Sequence, residues 1–71
     1  MQTMFRRDFE AAKKREESLR RAAQGLLEVH GTLLKRKSAK FLLDHIAEAK
    51  EALDREANVI HIRLKDAVVV D

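Results

Sequence analysis

At 71 residues and 8.2 kDa the chain is a single small domain, residues 1–71, and below roughly 80 residues one core seldom supplies more than about 3–5 kcal/mol without a staple or a partner. It has no Cys, which excludes a disulfide framework, and no Pro and only two Gly, too little punctuation for a sheet of many short strands. Charged residues make up 38% of the chain, with 15 bases interleaved among 12 acids for a net charge of +3, the signature of solvated helix faces rather than of a concentrated basic footprint.

The first half is an amphipathic helix. Phe5, Ala12, Leu19, Leu26 and Leu33 recur every seven residues, and Phe9, Ala23 and Leu27 fall three or four residues from neighbours in that series. The spacing predicts helix from about 3 to 36, with Thr3 as the N-cap and Asp8 in an early turn where the helix dipole favours an acid. Glu16 and His30 interrupt the apolar stripe. A polar residue at a seam position costs stability but fixes register, so these two are candidates for selecting what the helix packs against.

Two stops compete for the end of this helix. Gly31 can supply a left-handed residue with Thr32 capping the next helix, or the first helix runs on to Lys35-Arg36-Lys37 and Ser38 caps the second. The later turn, about 37–39, is preferred because three cations suit a helix C-terminus. In antiparallel register it sets Leu33 against Leu42, Val29 against Ile46, Leu26 against Ala49, Leu19 against Ala57, and Phe5 against Val70.

A second helix, about 40–66, follows from Leu42, Ile46, Ala49, Leu53, Ala57, Ile60, Leu64 and Ala67, spaced three or four apart. Beyond it Val68-Val69-Val70 are β-branched, poor helix formers and good strand formers, so the short apolar tail is expected to fray. An alternative makes Ile60, Ile62 and Leu64 one face of a strand by period-two alternation. The fold class expected is therefore all-α: an antiparallel, coiled-coil-like two-helix hairpin, completed by a partner or by homodimerisation.

The need for completion comes from surplus apolar surface. Met4, Ala11, Ala22 and Val29 fall toward one edge of helix one, and Phe41, Ala52, Val59 and Ile62 toward one flank of helix two. Leaving the larger of these wet forgoes roughly 1.5–3 kcal/mol apiece, comparable to the whole stability of so small a domain. A grouped apolar flank marks an interaction site more often than chance.

Other chemistry finds less support. His30 and His45 would come close in the preferred hairpin, but Glu28, Asp44 and Glu48 do not complete a familiar zinc spacing, and His61, opposite Val59, reads as solvated. Ser18 and Ser38 have no base in a recognised arrangement and no phosphate-cradling Gly-rich loop is present, so neither catalysis nor a cofactor is expected. The basic pairs and triplets Arg6-Arg7, Lys13-Lys14-Arg15, Arg20-Arg21 and Lys35-Arg36-Lys37 suggest a nucleic-acid module, yet Asp8, Glu10, Glu16, Glu17 and Glu28 dilute their field. With no Trp or Tyr there is also no stacking platform. The chain lacks a secretory-type apolar core or an 18-residue apolar span, so a cytoplasmic location without membrane insertion is expected.

The layout of a basic and acidic first helix, a short turn, and a second helix ending in Ala52-Leu53-Asp54, Ala57 and Val59-Ile60-His61 resembles the small E-component co-chaperones of type III secretion needle subunits. The resemblance implies a cytoplasmic hairpin that binds a tetratricopeptide-type, helical-repeat chaperone and helps keep the needle subunit soluble and unpolymerised. Matched residue by residue, it implies docking through Leu53, Ala57, Val59 and Ile60. With the flank residues, the candidate partner-binding set is Phe41, Ala52, Leu53, Ala57, Val59, Ile60 and Ile62.

Overall fold

The computed structural model describes residues 2–71. Four elements follow in chain order: β1 Gln2–Phe5, α1 Arg6–Lys35, α2 Lys40–Lys65 and β2 Ala67–Val70. The two helices pack side by side as a hairpin, as the periodicity predicts, in a rod of 52 × 16 × 11 Å. Its radius of gyration is 15.9 Å, against about 11 Å for a compact chain of this length.

The seam is a heptad pattern on each helix. On α1 the more enclosed positions are Phe9, Ala12, Glu16, Leu19, Ala23, Leu26, His30 and Leu33, alternating steps of three and four. Glu16 and His30 thus stand in the seam, as read from sequence. On α2 the corresponding positions are Leu43, Ile46, Lys50, Leu53, Ala57, Ile60 and Leu64, with Ala47 and Asp54 beside them. Antiparallel packing follows from the cross-links: Glu16 meets His61 and Arg20 meets Asn58 in the outer half, while Leu26 and His30 lie beside Ile46 and Lys50 toward the turn.

That register sets Leu19 across from Ala57, as expected, and Ala23 across from Leu53, so a small residue receives a large one in successive layers. Among the described residues these two alanines are the only buried ones, Ala57 at 0% and Ala23 at 2% exposure. The α2 seam otherwise differs from the sequence reading by one residue: Leu43 and Lys50 face α1, and Leu42 and Ala49 are turned out. Sequence could not separate Leu42 from Leu43, and it underrated Lys50. The lysine lays its aliphatic stem in the seam while its ammonium reaches Asp54, 2.7 Å away and one turn on. Phe5 and Leu27, also expected in the seam, are exposed.

The later turn is the one adopted, and Gly31 sits inside α1 with an ordinary negative φ. Helix α1 closes through the amide of Ser38 donating to the Leu33 carbonyl and that of Lys37 to the Leu34 carbonyl, each 3.1 Å, the paired 6→1 and 5→2 bonds of a Schellman motif. The residue forced left-handed there is Lys37, φ 56°. Ser38 does not cap α2; the N-cap is Ala39, with no side-chain bond to the first turn.

The ends depart most from expectation. Thr3 is in β1 rather than capping α1, whose N-cap is Phe5. Residues 67–70 do not fray: β2 pairs with β1 in parallel, Gln2 with Ala67 through Phe5 with Val70. The expected neighbours Phe5 and Val70 do meet, but as strand partners. The strand alternative for Ile60, Ile62 and Leu64 is overturned, since all three lie in α2. Two strands alone are marginal in water. Here Met4, Ala67 and Val69 alternate onto the less exposed face of the pair, and an Arg6–Asp71 ion pair ties the strand ends.

Candidate interaction surface

The seam divides the hairpin surface into two unlike sides. On one, Phe9 and Leu64 are flanked by Lys13, Glu16, His61 and Lys65. Glu16 is the organising group: its carboxylate accepts from the Arg20 guanidinium at 3.2 Å and lies 3.1 Å from Nδ1 of His61. Its side chain is only 13% exposed. Arg20 in turn donates to the Asn58 side-chain carbonyl at 3.1 Å, so the polar seam residue Glu16 is joined through Arg20 to α2. His61, read as solvated, is 59% exposed and meets Glu16 from the solvent side of the seam.

The opposite side is lined by different residues. A groove there is lined by Met4, Ala11, Ala12 and Arg15 of the first half and by Glu56, Val59, Ile60 and Arg63 of α2. Helical periodicity continues the α1 wall through Ser18, Ala22, Gly25 and Val29, mostly small side chains, and the α2 wall through Ala52, Ala49 and Leu42. Arg15, Glu56 and Arg63 are the charges along the groove, and none of the three makes an ion pair or side-chain hydrogen bond within the described residues.

The candidate partner-binding residues divide by depth. Phe41 at 75%, Ile62 at 67% and Val59 at 54% are exposed, as is Ala52. Leu53 and Ile60 are half-buried seam residues, and Ala57 is completely enclosed between the helices, with no surface left for another molecule. Val59 and Ala52 belong to the groove side, and Phe41 and Ile62 lie one helical step outward. Sequence reading assigned Leu42 and Ala49 to the seam when they belong to this surface, and passed over Leu34 and Val68, both exposed. The signal for Leu42 and Ala49 lay in α2 itself: once Lys50 is accepted as a seam position, the frame of threes and fours runs Leu43, Ile46, Lys50, Leu53 and leaves both outside it.

Area measures the surplus. The chain exposes 5732 Å², about 1,200 Å² more than the roughly 4,500 Å² expected of a compact protein of this mass. Among the described residues no large side chain is fully buried, while nine large apolar residues are exposed.

The remaining constellations carry no comparable arrangement. His30 is half-buried near Ile46 and Lys50, and His45 is exposed. Among the described residues no three His, Asp or Glu side chains are grouped to hold a metal ion, and no helix is long and apolar enough to cross a membrane. Comparison of the chain with protein-family models, curated proteins and solved structures returns no match.

Proposed function

We propose that the chain is a non-enzymatic protein–protein interaction module that works by docking its groove side, Ala11 to Val29 of α1 and Leu42 to Val59 of α2, against helices of another polypeptide. The observation that carries this reading is the imbalance of burial: among the described residues two alanines are enclosed and nine large apolar side chains are exposed, Val29, Leu42 and Val59 of them on this side. At roughly 25 cal/mol per Å², an apolar surplus of several hundred Å² is worth more than such a domain's whole stability. Arg15, Glu56 and Arg63 supply the charges of this side, with apolar and small residues between them. Helix-face docking is the recognition mode that suits a rigid pair of helices with small residues along one wall.

The test is a photo-crosslinking residue at position 52, exposed in the middle of the groove side, compared with one at position 48 on the outer crest of α2. Adducts in cells from position 52 and not from position 48 support the reading. No adduct from position 52 refutes it.

The resemblance to needle-subunit co-chaperones supplies a specific version, in which the other polypeptide is a helical-repeat chaperone and the pair keeps a secretion needle subunit unpolymerised. The hairpin layout and the exposure of Val59 support it. Of the four docking positions it implies, only Val59 is largely free, since Leu53, Ala57 and Ile60 are engaged between α1 and α2. In this version Val59→Asp abolishes a complex with such a chaperone, and full affinity by calorimetry refutes it.

A further inference from the structure

We infer that the occupant of the groove side is a second copy of this chain, packed about a two-fold axis so that two hairpins form one four-helix bundle. The inference rests on the proposed role of this side as an interaction surface and adds the partner. Charge pattern is the first reason. A groove that carries Glu56 alongside Arg15 and Arg63, all without a partner among the described residues, can complement a second copy: under a two-fold each acid can face a base of the other copy.

Extent is the second. A face of 52 by 16 Å offers about 800 Å², the area each partner contributes to a standard stable interface. Gly25 is the third. It stands in the middle of α1, where glycine weakens a helix, and a Cβ built on it meets nothing within 4 Å. Nothing among the described residues requires the missing side chain. Another helix approaching the wall formed by Ala22, Gly25 and Val29 does, because close helix contact needs small residues where the axes draw near.

Sedimentation equilibrium tests this with the full chain. The expected mass is 16.4 kDa, twice 8.2 kDa, and Val59→Asp and Ala52→Glu each shift the chain to 8.2 kDa with its helical circular dichroism retained, since both residues are exposed in the hairpin. Because the change occurs twice per dimer, the dissociation constant should rise by at least about a hundredfold. Charge reversal gives the sharper arm: Glu56→Arg alone and the double variant Arg15→Glu with Arg63→Glu are each monomeric, and mixing them restores the 16.4 kDa particle. A wild-type chain that stays at 8.2 kDa at about 100 μM overturns the inference, and so does a dimer indifferent to all of these substitutions. Adducts from position 52 to a different protein, with a monomeric chain, would leave the interaction reading standing and remove only the second copy.

Discussion

Replacing Lys37 by glycine should stabilise the hairpin, although it removes a cation from the end of α1. Lys37 holds φ 56°, and the Schellman bonds it permits, from the amides of Lys37 and Ser38, are backbone bonds that survive the substitution. Its side chain is exposed and without a partner among the described residues, so no contact is lost. An L-residue in the left-handed region carries a cost of about 1–2 kcal/mol that glycine does not. Against this stands about 0.4–1 kcal/mol for the freer unfolded chain and a few tenths for the lost charge at the helix C-terminus. The net expectation is a gain of about 0.5 kcal/mol, or roughly 2–4 °C in melting temperature for a domain of this size. Thermal melts at one fixed protein concentration measure it, with Lys37→Ala as the companion that removes the charge but keeps the strain. If Lys37→Gly melts no higher than Lys37→Ala, the left-handed turn is not where this chain is strained.

Ala57→Leu should cost about 1–3 kcal/mol by thermal melt, because a residue at 0% exposure facing Leu19 has no room for three more carbons without splaying the helices. Glu16→Leu should do the opposite: the seam gains apolar burial while Arg20 keeps Asn58, raising stability by about 1 kcal/mol in urea titration, and a loss instead would mean that the Glu16, His61 and Arg20 set contributes net stability. Deleting residues 67–71 should leave the helical circular dichroism nearly unchanged while hydrogen exchange at Thr3, Met4 and Phe5 loses its protection; unaltered exchange there would show that β2 does not hold β1.

What sequence disclosed and what it concealed separate by the distance over which each feature is determined. The first helix, the turn after Lys35 and the second helix are local, each written in a repeat of three and four or in a cluster of cations, and the turn lies within a residue of where Lys35-Arg36-Lys37 placed it. Rotation of α2 about its axis was harder, because Leu42 and Leu43 are equivalent by type and Lys50 enters the seam only with Asp54 one turn away to receive its charge. The terminal sheet was hidden from local pattern. Met4 and Phe5 fit a helical stripe as well as a strand, and what selects the strand is a run of valines at the far end of the chain, brought alongside only after the hairpin has closed. The same closure decided the candidate surface: which apolar residues near the C-terminus remain outside depended on the frame, and Ala57 went in while Val59 stayed out.

Gly25 turns that frame into a measurement in which fold and association move in opposite directions. In the middle of a helix, glycine to alanine is worth about 0.5–1 kcal/mol through backbone freedom alone, and the open space around Gly25 means that the hairpin imposes no steric penalty on the added methyl group. A lone hairpin must therefore become more stable on Gly25→Ala. If a second copy lays its helix against Ala22, Gly25 and Val29, the methyl group instead meets that helix twice in each dimer, once from either side, and forces the axes apart. The expected pair of results is a higher helical content in the dilute chain and a weaker dimer by sedimentation, with the dissociation constant raised by about tenfold or more. Greater helicity with unchanged dimerisation would place the interface away from Gly25. Lower helicity would mean that α1 itself needs the glycine, which neither its φ nor its surroundings provide any reason for.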